Sequence, residues 1–340
     1  MNALPPERLL QLDGVEVGFK TRDGIVMAVN GVSYHVDRGE VLGIVGESGS
    51  GKSVTARAIM RLLAKNASHE AGSIRFRPEN RDLRLDGLSR NSRQIRELRG
   101  NRIGMVFQEP MTALSPVHTI GTQIMRTVLL HRGGSKRQAR ARAVELLGKV
   151  QLPNPEAMAD RYPFQMSGGM RQRAMIALAL ACDPDLLIAD EPTTALDVTT
   201  EAQILDLLKS LQEEFGMAII FITHSFGVVA NIADRVAVMY LGRVIETGSV
   251  DDIFYGPRHP YTQALLQSIP RLGGTKRDRL HVIRGMVPSP YDVPGGCPFH
   301  PRCDAARPGV CERSLPQRQD FDNGQWALCH FAGQLDEAAE

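Results

Sequence analysis

The sequence has little that would place the protein in a membrane or on a polyanion. No stretch reaches the ~18 consecutive apolar residues that a membrane-spanning helix needs, and the N-terminus has neither the basic nor the apolar segment of a secretory leader. Charge is nearly balanced, with 40 basic and 38 acidic residues and a net charge of +2. Bulk electrostatics therefore give no reason to expect nucleic acid as a partner, and we expect a cytoplasmic protein that is not itself membrane-embedded.

Cysteine is also scarce, and its distribution is uneven. Of five cysteines, Cys182 lies alone in an apolar, helix-like run, whereas Cys297, Cys303, Cys311 and Cys329 fall near the C-terminus. In a reducing compartment such a cluster suggests a metal before disulfides. The intervals of five, seven and seventeen residues differ from the paired C-x₂-C spacing of zinc ribbons. Prolines and glycines around them predict loops with little core, which a metal or a crosslink would have to order.

One stretch has the order strand, glycine loop, helix. It is Gly46-Glu47-Ser48-Gly49-Ser50-Gly51-Lys52-Ser53, between the apolar run 41–45 and the helix-forming segment 54–60. Glycines let successive backbone N–H groups converge on phosphates, and the helix N-terminus adds partial positive charge. Lys52 is then expected to reach the outer phosphates, and the Ser53 hydroxyl to ligate magnesium. A Gly/Ser-rich turn that binds nothing is the alternative, but the flanking strand and helix favour a nucleotide site.

Alternation of apolar and polar residues over 9–45 predicts an antiparallel β start, with Asp23-Gly24 as a turn. Within it, Phe19 is either a core residue or a platform on which adenine stacks, and the pattern alone favours the core. Further along, the short apolar strand 102–107 ends at Gln108. A glutamine just past a strand end is in a position to meet a nucleotide-bound metal.

The segment from about 90 to 165 is predicted to be mainly helical and to form an inserted subdomain. Ser135 and Gln138 form a capping-box signature at the start of one of its helices. After it, Ser167-Gly168-Gly169 opens a second strongly helical run. A helix N-terminus of this kind is able to receive a phosphate, although a Ser-Gly-Gly cap alone is more often just a cap.

Polar side chains follow two further apolar strands. Asp190 and Glu191 come directly after the run 186–189, and His224 follows the run 217–222. Two adjacent carboxylates at a strand end suit metal-assisted phosphoryl transfer, in which Asp190 holds magnesium through water and Glu191 polarises the attacking water. A solvated loop start is the alternative. The place of His224 at a strand end, where α/β ligand sites lie, favours contact with the terminal phosphate.

Together these motifs resemble the ATP-binding subunit of an ABC transporter, over nearly the whole chain. The resemblance implies the following roles: Walker A loop, Gly46 to Ser53; Q-loop glutamine, Gln108; signature motif, Ser167-Gly168-Gly169-Met170-Arg171-Gln172; Walker B strand, Leu186 to Asp190; catalytic base, Glu191; D-loop, Ala195-Leu196-Asp197; switch histidine, His224. It also favours adenine stacking at Phe19. Met166 and Met170 depart from the commonest signature, but the phosphate contacts come from Ser167 and backbone N–H groups, so activity is still expected.

Three further segments resemble the oligopeptide/dipeptide importer branch: 108–116, 259–266 and 296–303. This branch implies two transmembrane permeases, a second and different ATPase subunit, an extracytoplasmic solute-binding protein reached through the permeases, and no nucleic acid. It implies a peripheral location at the cytoplasmic face of the inner membrane. Nickel, glutathione or a sugar is the alternative solute to a di- or oligopeptide. A soluble ABC ATPase acting on DNA or ribosomes, and a regulatory protein without turnover, are less favoured.

In the same branch a four-iron, four-sulfur cluster occurs at this cysteine pattern. The resemblance therefore implies that Cys297, Cys303, Cys311 and Cys329 are cluster ligands with a structural role. Zinc held by three or four of the cysteines, with or without His330, remains the alternative.

The expected fold is α/β, with a P-loop ATPase core, an antiparallel β subdomain, an inserted helical subdomain and a C-terminal metal-binding extension. The expected division places the ABC nucleotide-binding domain at 1–250, with its helical subdomain at about 90–165, and the extension at 251–340. One protomer's glycine loop and another's Ser167 helix would enclose the same ATP. Ser53, Gln108 and Asp190 are the expected magnesium ligands. ATP binding would close the dimer and drive the permease, and hydrolysis would reset it.

Overall fold

The structure is a computed structural model that describes residues 4–194, 196–269 and 283–334. Ala195, the first residue of the expected D-loop, lies outside the described residues. In the described part of the chain the strands form two sheets. The strands are β1 (Arg8–Thr21), β2 (Gly24–Asp37), β3 (Val41–Val45), β4 (Ala67–Phe76), β5 (Leu83–Arg84), β6 (Ile103–Val106), β7 (Leu186–Asp190), β8 (Ala218–Thr223), β9 (Arg235–Tyr240), β10 (Arg243–Ser249), β11 (Gln319–Asp320) and β12 (Trp326–Ala327).

The helices cover most of the segments between these strands. They are α1 (Lys52–Ile59), α2 (Arg93–Leu98), α3 (Pro110–Ala113), α4 (Ile120–His131), α5 (Lys136–Lys149), α6 (Pro155–Ala159), α7 (Gly168–Ala179), α8 (Val198–Phe215), α9 (Phe226–Ile232), α10 (Val250–Tyr255) and α11 (Pro260–Gln267). Short 3₁₀ turns lie at Pro78–Asn80, Pro163–Gln165 and His300–Arg302.

The first sheet is antiparallel, in the order β2-β1-β4-β5. Its β1–β2 hairpin closes with Thr21 opposite Gly24, which places Asp23 in the turn. The inward residues of β1, such as Val15 and Val17, are fully buried, because alternate residues of a strand point to opposite faces. The alternation in the sequence therefore yields the expected antiparallel sheet.

The second sheet carries the chemistry, in the order β11-β12-β10-β9-β3-β8-β7-β6. The five strands from β9 to β6 are parallel to one another, whereas β10 pairs antiparallel with β9 and β12, and β11 pairs antiparallel with β12. The carboxyl ends of parallel strands meet at one edge of a sheet. The segments that follow β3, β6, β7 and β8 are therefore brought together.

Helices or strands cover both faces of this parallel sheet, which is why β3, β7 and β8 are buried along their whole length. Leu42 and Ile44 face a core cluster shared with α1 and the antiparallel sheet. Leu187 and Ala189 face another cluster, shared with α7, α8 and the helices α4 and α5. The sheet is thus the middle layer of a three-layer core.

The helices from α3 to α6 lie between β6 and β7. The predicted capping box is present at α5, where Ser135 accepts from the Gln138 backbone N–H and the Gln138 side chain accepts from that of Ser135. The strand β6 pairs with β7 and so belongs to the main sheet, although it lies within the span 90–165. The span therefore contains helix α2 before this strand and helices α3 to α6 after it.

The C-terminal segment packs on the β10 edge of the main sheet. Strand β12 extends the sheet, with Glu246 opposite Ala327 and Thr247 opposite Trp326. A small aromatic core of Tyr240, Tyr261 and Phe299 joins β9, α11 and the segment that begins at residue 283.

Candidate functional site

The glycine loop connects β3 to α1, and two of its glycines lie where neighbouring backbone approaches closely. A Cβ at Gly46, with φ of 153°, would stand 2.1 Å from the Met239 carbonyl oxygen. A Cβ at Gly51, with φ of 98°, would stand 2.5 Å from that of Ala28. Only glycine fits such positions without displacing a strand. Of the remaining loop residues, Ser48 and Gly49 are exposed, so the tip of the loop is open to a ligand.

Lys52 fills the inside of the loop. Its ammonium donates to the carbonyl oxygens of Gly46 at 2.7 Å and Glu47 at 2.9 Å, and lies 3.3 Å from the Ser50 hydroxyl. Burial lowers the pKa of Lys52. Nearby carboxylates act in the opposite direction, and that of Glu191 has the largest effect among them. The loop thus surrounds a buried cation with backbone groups, an arrangement that suits phosphate oxygens.

Ser53 and Asp190 meet across the gap between α1 and β7. The Ser53 hydroxyl donates to Asp190 Oδ1 at 2.7 Å. Asp190 is 1% exposed; burial raises its pKa, and the hydrogen bond from Ser53 opposes that rise. A hydroxyl and a carboxylate are both ligands that a hard cation such as Mg²⁺ accepts. These two predicted magnesium ligands are therefore adjacent.

Glu191 is the centre of a polar group at the same edge of the sheet. The Gln108 amide donates to Glu191 Oε2 at 3.1 Å, the Thr194 hydroxyl donates to the same oxygen at 2.9 Å, and His224 Nδ1 lies 3.5 Å from Oε1. Glu191 itself has φ of 48°, a left-handed conformation that a non-glycine residue adopts at some cost. Its backbone N–H is held by the Ile222 carbonyl at 2.9 Å.

The predicted signature residues lie on the outside of the chain. Ser167 is the N-cap of α7 and accepts from the Met170 backbone N–H at 3.3 Å. Ser167 and Gly168 are exposed, and Gly169 is half-buried. Within the described ranges, no hydrogen bond or ion pair joins these three residues to the glycine loop.

Two further predicted residues have local structural contacts. Asp197 caps α8 by accepting from the backbone N–H and hydroxyl of Thr200, at 3.0 and 2.7 Å, and the hydroxyl contact lowers its pKa. Phe19 lies near the end of β1, opposite Val26 and Ala67, and its half-buried ring packs on the core. The ring thus has an apolar side against the protein and an exposed remainder.

The cysteines of the C-terminal segment surround one small cavity of about 20 Å³, whereas Cys182 is buried elsewhere. The cavity is lined by Cys297, Cys303, Cys311 and Cys329. None of these four forms a disulfide bond, and burial raises the pKa of Cys303 to about 12 and that of Cys329 to about 11. His330 is directed to the Ser314 carbonyl, with its Nε2 at 2.9 Å.

The structure does not show the expected metal-binding extension with a formed metal site in the described residues. Across residues 4–194, 196–269 and 283–334, no three His, Cys, Asp or Glu side chains are placed to hold a metal ion. The four thiols face the same cavity, but they do not converge on one point as the ligands of a single zinc ion would.

An apolar groove of about 290 Å³ lies beside the polar group. Its lining comes from β6, α4 and α7 and includes Met105, Phe107, Met175 and Leu178. Phe107 precedes Gln108 and is 36% exposed. The groove therefore adjoins the chain segment that contacts Glu191.

A larger groove of about 570 Å³ lies elsewhere, between β1, β2 and the C-terminal strand β12. Arginines line it, each already paired with a carboxylate: Arg8 with Asp37, Arg235 with Glu40, and Arg318 with Asp320. Because these charges are compensated, size alone does not make this groove the site.

Sequence reasoning missed three residues that contact the site. Thr194 binds Glu191, and Tyr261 and Arg302 both bind Glu47 of the glycine loop. Thr194 lies three residues after Glu191, so a local signal existed. Tyr261 and Arg302 have no such signal, because they lie 214 and 255 positions from Glu47.

Comparison with known families matches two regions. Residues 29–194 match the family model for ABC transporters, and residues 245–311 match the model for the oligopeptide/dipeptide transporter C-terminal region. No helix in the described parts of the chain has the length and apolar character needed to span a bilayer.

Individual proteins match over most of the chain. An oligopeptide transport ATP-binding protein of Bacillus subtilis is 51% identical over 86% of this chain and 80% of its own. A dipeptide transport ATP-binding protein of Escherichia coli is 46% identical over 97% of this chain and 98% of its own. Among solved structures, a dimeric ATP-binding cassette in a post-hydrolysis state with ADP and phosphate superposes with a TM-score of 0.63, at 31% identity, over 71% of this chain and 99% of its own.

Proposed function

The chain belongs to the ATP-binding proteins of ABC transporters, and from this membership we propose that it is the ATP-hydrolysing subunit of a binding-protein-dependent importer of di- or oligopeptides. One observation carries the proposal. The glycine loop, the Ser53–Asp190 pair and the polar group around Glu191 lie at the same edge of one parallel sheet. Phosphate binding, metal binding and activation of water therefore occur at adjacent positions.

The glycine loop binds the ATP phosphates. Its backbone N–H groups and the N-terminus of α1 supply partial positive charge, and Lys52 supplies a full one. In the structure Lys52 donates to the Gly46 and Glu47 carbonyls. When phosphate oxygens enter the loop, they replace these carbonyls as its acceptors, so the ammonium stays paired in both states.

Ser53 and Asp190 hold magnesium, with the Gln108 side chain as the third expected ligand. The donor set fits, because the Ser53 hydroxyl and Asp190 Oδ1 are already 2.7 Å apart beside the loop, with Asp190 buried and Ser53 half-buried. A bound Mg²⁺ would offset negative charge on the terminal phosphates during their transfer. The Ser53 hydroxyl donates to Asp190 in the structure, and its oxygen would coordinate the ion through a lone pair once Mg²⁺ is bound.

Glu191 is the general base for the attacking water. Gln108 and Thr194 fix Oε2, while His224 lies beside Oε1, so the carboxylate is oriented before substrate arrives. His224 is 61% exposed and faces the open side of the site, where the terminal phosphate would lie. Its ring donates a hydrogen bond to that phosphate and so links substrate to base.

Ser167, Gly168, Gly169 and Asp197 act on the ATP held by a second ATPase subunit. The exposure of Ser167, Gly168 and Asp197 supports a contact between subunits, as does the lack of hydrogen bonds between residues 167–169 and the loop in the described chain. The dimeric state of the cassette solved with ADP and phosphate supports the same arrangement. ATP binding closes the dimer, and hydrolysis reopens it.

The apolar groove beside β6 receives a transmembrane permease subunit at the cytoplasmic face of the inner membrane. Apolar lining favours a protein partner, and Phe107 connects the groove to Gln108 and hence to Glu191. We expect Phe107→Ser to lower permease-stimulated hydrolysis while ATP binding is unchanged. Leu130→Ser, at a 78% exposed position of α4 outside the groove lining, is the matched control.

The transported solute is tested in the whole assembly. The two permeases, this subunit, its partner ATPase and the solute-binding protein are reconstituted in liposomes, and ATP hydrolysis is measured with di-, tri- and pentapeptides. We expect peptides to stimulate hydrolysis. Stimulation by nickel, glutathione or a sugar alone would contradict the peptide assignment, and stimulation by DNA would contradict a role in transport.

The four C-terminal cysteines hold a four-iron, four-sulfur cluster with a structural role. The shared cavity supports this, as do the backbone N–H groups of Arg307 and Phe331, which donate to Cys311 and Cys329 sulfurs at 3.4 Å. A cluster is larger than one ion, so its ligands stand further apart; the loops around the 20 Å³ cavity would have to move outward to admit it.

Anaerobic purification followed by iron, sulfide and zinc analysis tests the cluster. Four irons and four sulfides per chain are expected. Stoichiometric zinc without acid-labile sulfide would contradict it and leave the ATPase assignment unchanged.

A further inference from the structure

The glycine loop is held from outside by two side chains of the C-terminal segment. Arg302 donates two hydrogen bonds to the Glu47 carboxylate, from Nη1 to Oε2 at 2.7 Å and from Nη2 to Oε1 at 3.0 Å. The Glu47 backbone N–H donates to the Tyr261 hydroxyl at 3.0 Å, and its carbonyl accepts from Lys52 at 2.9 Å. The same carbonyl also accepts from the Ser50 backbone N–H at 3.2 Å. Every polar group of Glu47 is thus engaged, and two of its four partners, Arg302 and Tyr261, come from the C-terminal segment.

Arg302 is fixed in place rather than lying loose on the surface. It is 6% exposed, its Nε donates to the Arg284 carbonyl at 3.1 Å, and its guanidinium lies 5.8 Å from the centre of the Tyr240 ring. Tyr240 packs in turn against Tyr261. A planar, forked guanidinium so held binds a carboxylate in one geometry, unlike an exposed ion pair whose side chains move freely.

Glu47 brings a negative charge into a loop that receives a polyanion. Without a counter-charge, this carboxylate would repel the incoming phosphates in a partly buried site, where screening by water is weak. The unpaired side chain would also be free to rotate, and this motion would disturb the orientation of the Glu47 backbone in the phosphate-binding loop. Arg302 removes both problems, since it neutralises the carboxylate and fixes its orientation.

We propose that Arg302 is a positioning residue of the nucleotide site. It acts through Glu47: it neutralises the Glu47 carboxylate and holds the glycine loop in the conformation that binds ATP. This inference rests on the proposed ATP site.

The position of Arg302 in the chain adds a consequence. It ends the 3₁₀ turn His300–Arg302 and directly precedes Cys303. A rearrangement of the cysteine-bearing segment would therefore move Arg302, which is bonded to Cys303, and would disturb its ion pair with Glu47 of the glycine loop. Ordering of that segment and ATP binding are therefore coupled. The ordered segment strengthens ATP binding by the same free energy by which bound ATP stabilises the ordered segment.

The test is a double-variant cycle on ATP affinity. Arg302→Met, Glu47→Gln and the combination are titrated with a fluorescent ATP analogue in the presence of Mg²⁺, and kcat and KM for ATP are measured in parallel. Arg302→Met is expected to weaken binding about tenfold or more, as loss of a charge-assisted pair does. KM rises more than kcat falls, because Gln108, Glu191 and His224 are untouched.

The combination separates positioning from folding. With Glu47→Gln the charge that Arg302 neutralises is gone, so adding Arg302→Met is expected to cost no more than about threefold. Arg318→Met is the matched control, because Arg318 belongs to the same segment but pairs with Asp320 and stacks on Trp326. It is expected to bind ATP as the wild type does.

Two results would overturn the inference. One is wild-type ATP affinity in folded Arg302→Met; the other is an equal loss in the Glu47→Gln background, which would show that Arg302 acts only through the fold of the C-terminal segment. Should Arg302→Met not fold, Arg302→Lys, which keeps the charge without the fork, is expected to show an intermediate loss, and wild-type affinity would overturn the inference. If the wild type itself binds no ATP, the proposed function fails as well.

Discussion

Glu246 is a buried carboxylate that holds the C-terminal segment to the main sheet, and it makes stability depend on pH. It is fully buried on β10 and accepts from the backbone N–H groups of Arg258 and His259, at 2.5 and 3.1 Å, and from the Gln325 amide at 3.0 Å. Burial raises its pKa from 4.5 to about 7, against the effect of these hydrogen bonds.

The direction of the pH effect on stability follows from the number of protons that the folded and unfolded states bind. Between about pH 4.5 and 7 the folded protein holds a proton on Glu246 that the unfolded chain releases, so the contribution to stability is complete below pH 4.5 and is lost as the pH rises through 7. A shift of this size corresponds to roughly 3 kcal/mol. Relative to Glu246→Gln, which does not titrate, the wild type is expected to lose about that much free energy of unfolding over this range.

The assay is urea unfolding at pH 4.5 to 8, followed by fluorescence of Trp326, the single tryptophan, which lies on the strand paired with β10. The difference between wild type and Glu246→Gln isolates this group from all others. Asp251→Asn, at an exposed position of the adjacent helix α10, serves as the control and is expected to keep the wild-type slope. Parallel pH profiles for wild type and Glu246→Gln would show that Glu246 does not cause the pH dependence of stability.

The nucleotide site gives further predictions. Lys52→Ala is expected to weaken ATP binding at least tenfold, because the only ammonium inside the described loop is lost; unchanged affinity in the same titration would remove the loop from the site. Phe19→Ala is expected to cost about 1 to 3 kcal/mol of ATP affinity with the fold intact, and Phe164→Ala, at an exposed ring elsewhere, is the control. Normal ATP binding by Phe19→Ala, or its unfolding, would show that Phe19 is a core residue and not an adenine-stacking ring. Ser53→Ala is expected to raise the Mg²⁺ concentration needed for half-maximal hydrolysis, and an unchanged Mg²⁺ dependence would exclude its hydroxyl as a ligand.

Most of the proposed nucleotide site is predictable because its parts are local. A glycine loop between a strand and a helix, and carboxylates directly after a buried strand, are short patterns that topology then brings to one edge of the sheet. Glu191, Gln108 and His224 meet for this reason. The family resemblance, confirmed by the comparisons, adds the roles that the patterns alone leave open.

Contacts between distant segments are what the sequence does not reveal. The Arg302–Glu47 pair joins positions 255 apart, and neither residue lies in a pattern that points to the other. The pairing of β12 with β10 is equally long-range, and its two-residue strands are too short to show alternation. For the cysteines, spacing predicts a common site, but only side-chain placement decides whether they converge on an ion.

Hydrolysis by Glu191→Gln tests the proposed ATPase mechanism most directly, because the variant lacks the proposed base but keeps the phosphate loop. We expect the variant to bind ATP normally, to hydrolyse it at least about 100-fold more slowly, and to elute as a closed dimer in size-exclusion chromatography with ATP. Glu213→Gln, at an exposed position of α8, is the matched control and is expected to hydrolyse ATP as the wild type does. Hydrolysis at the wild-type rate by Glu191→Gln would show that Glu191 is not the general base.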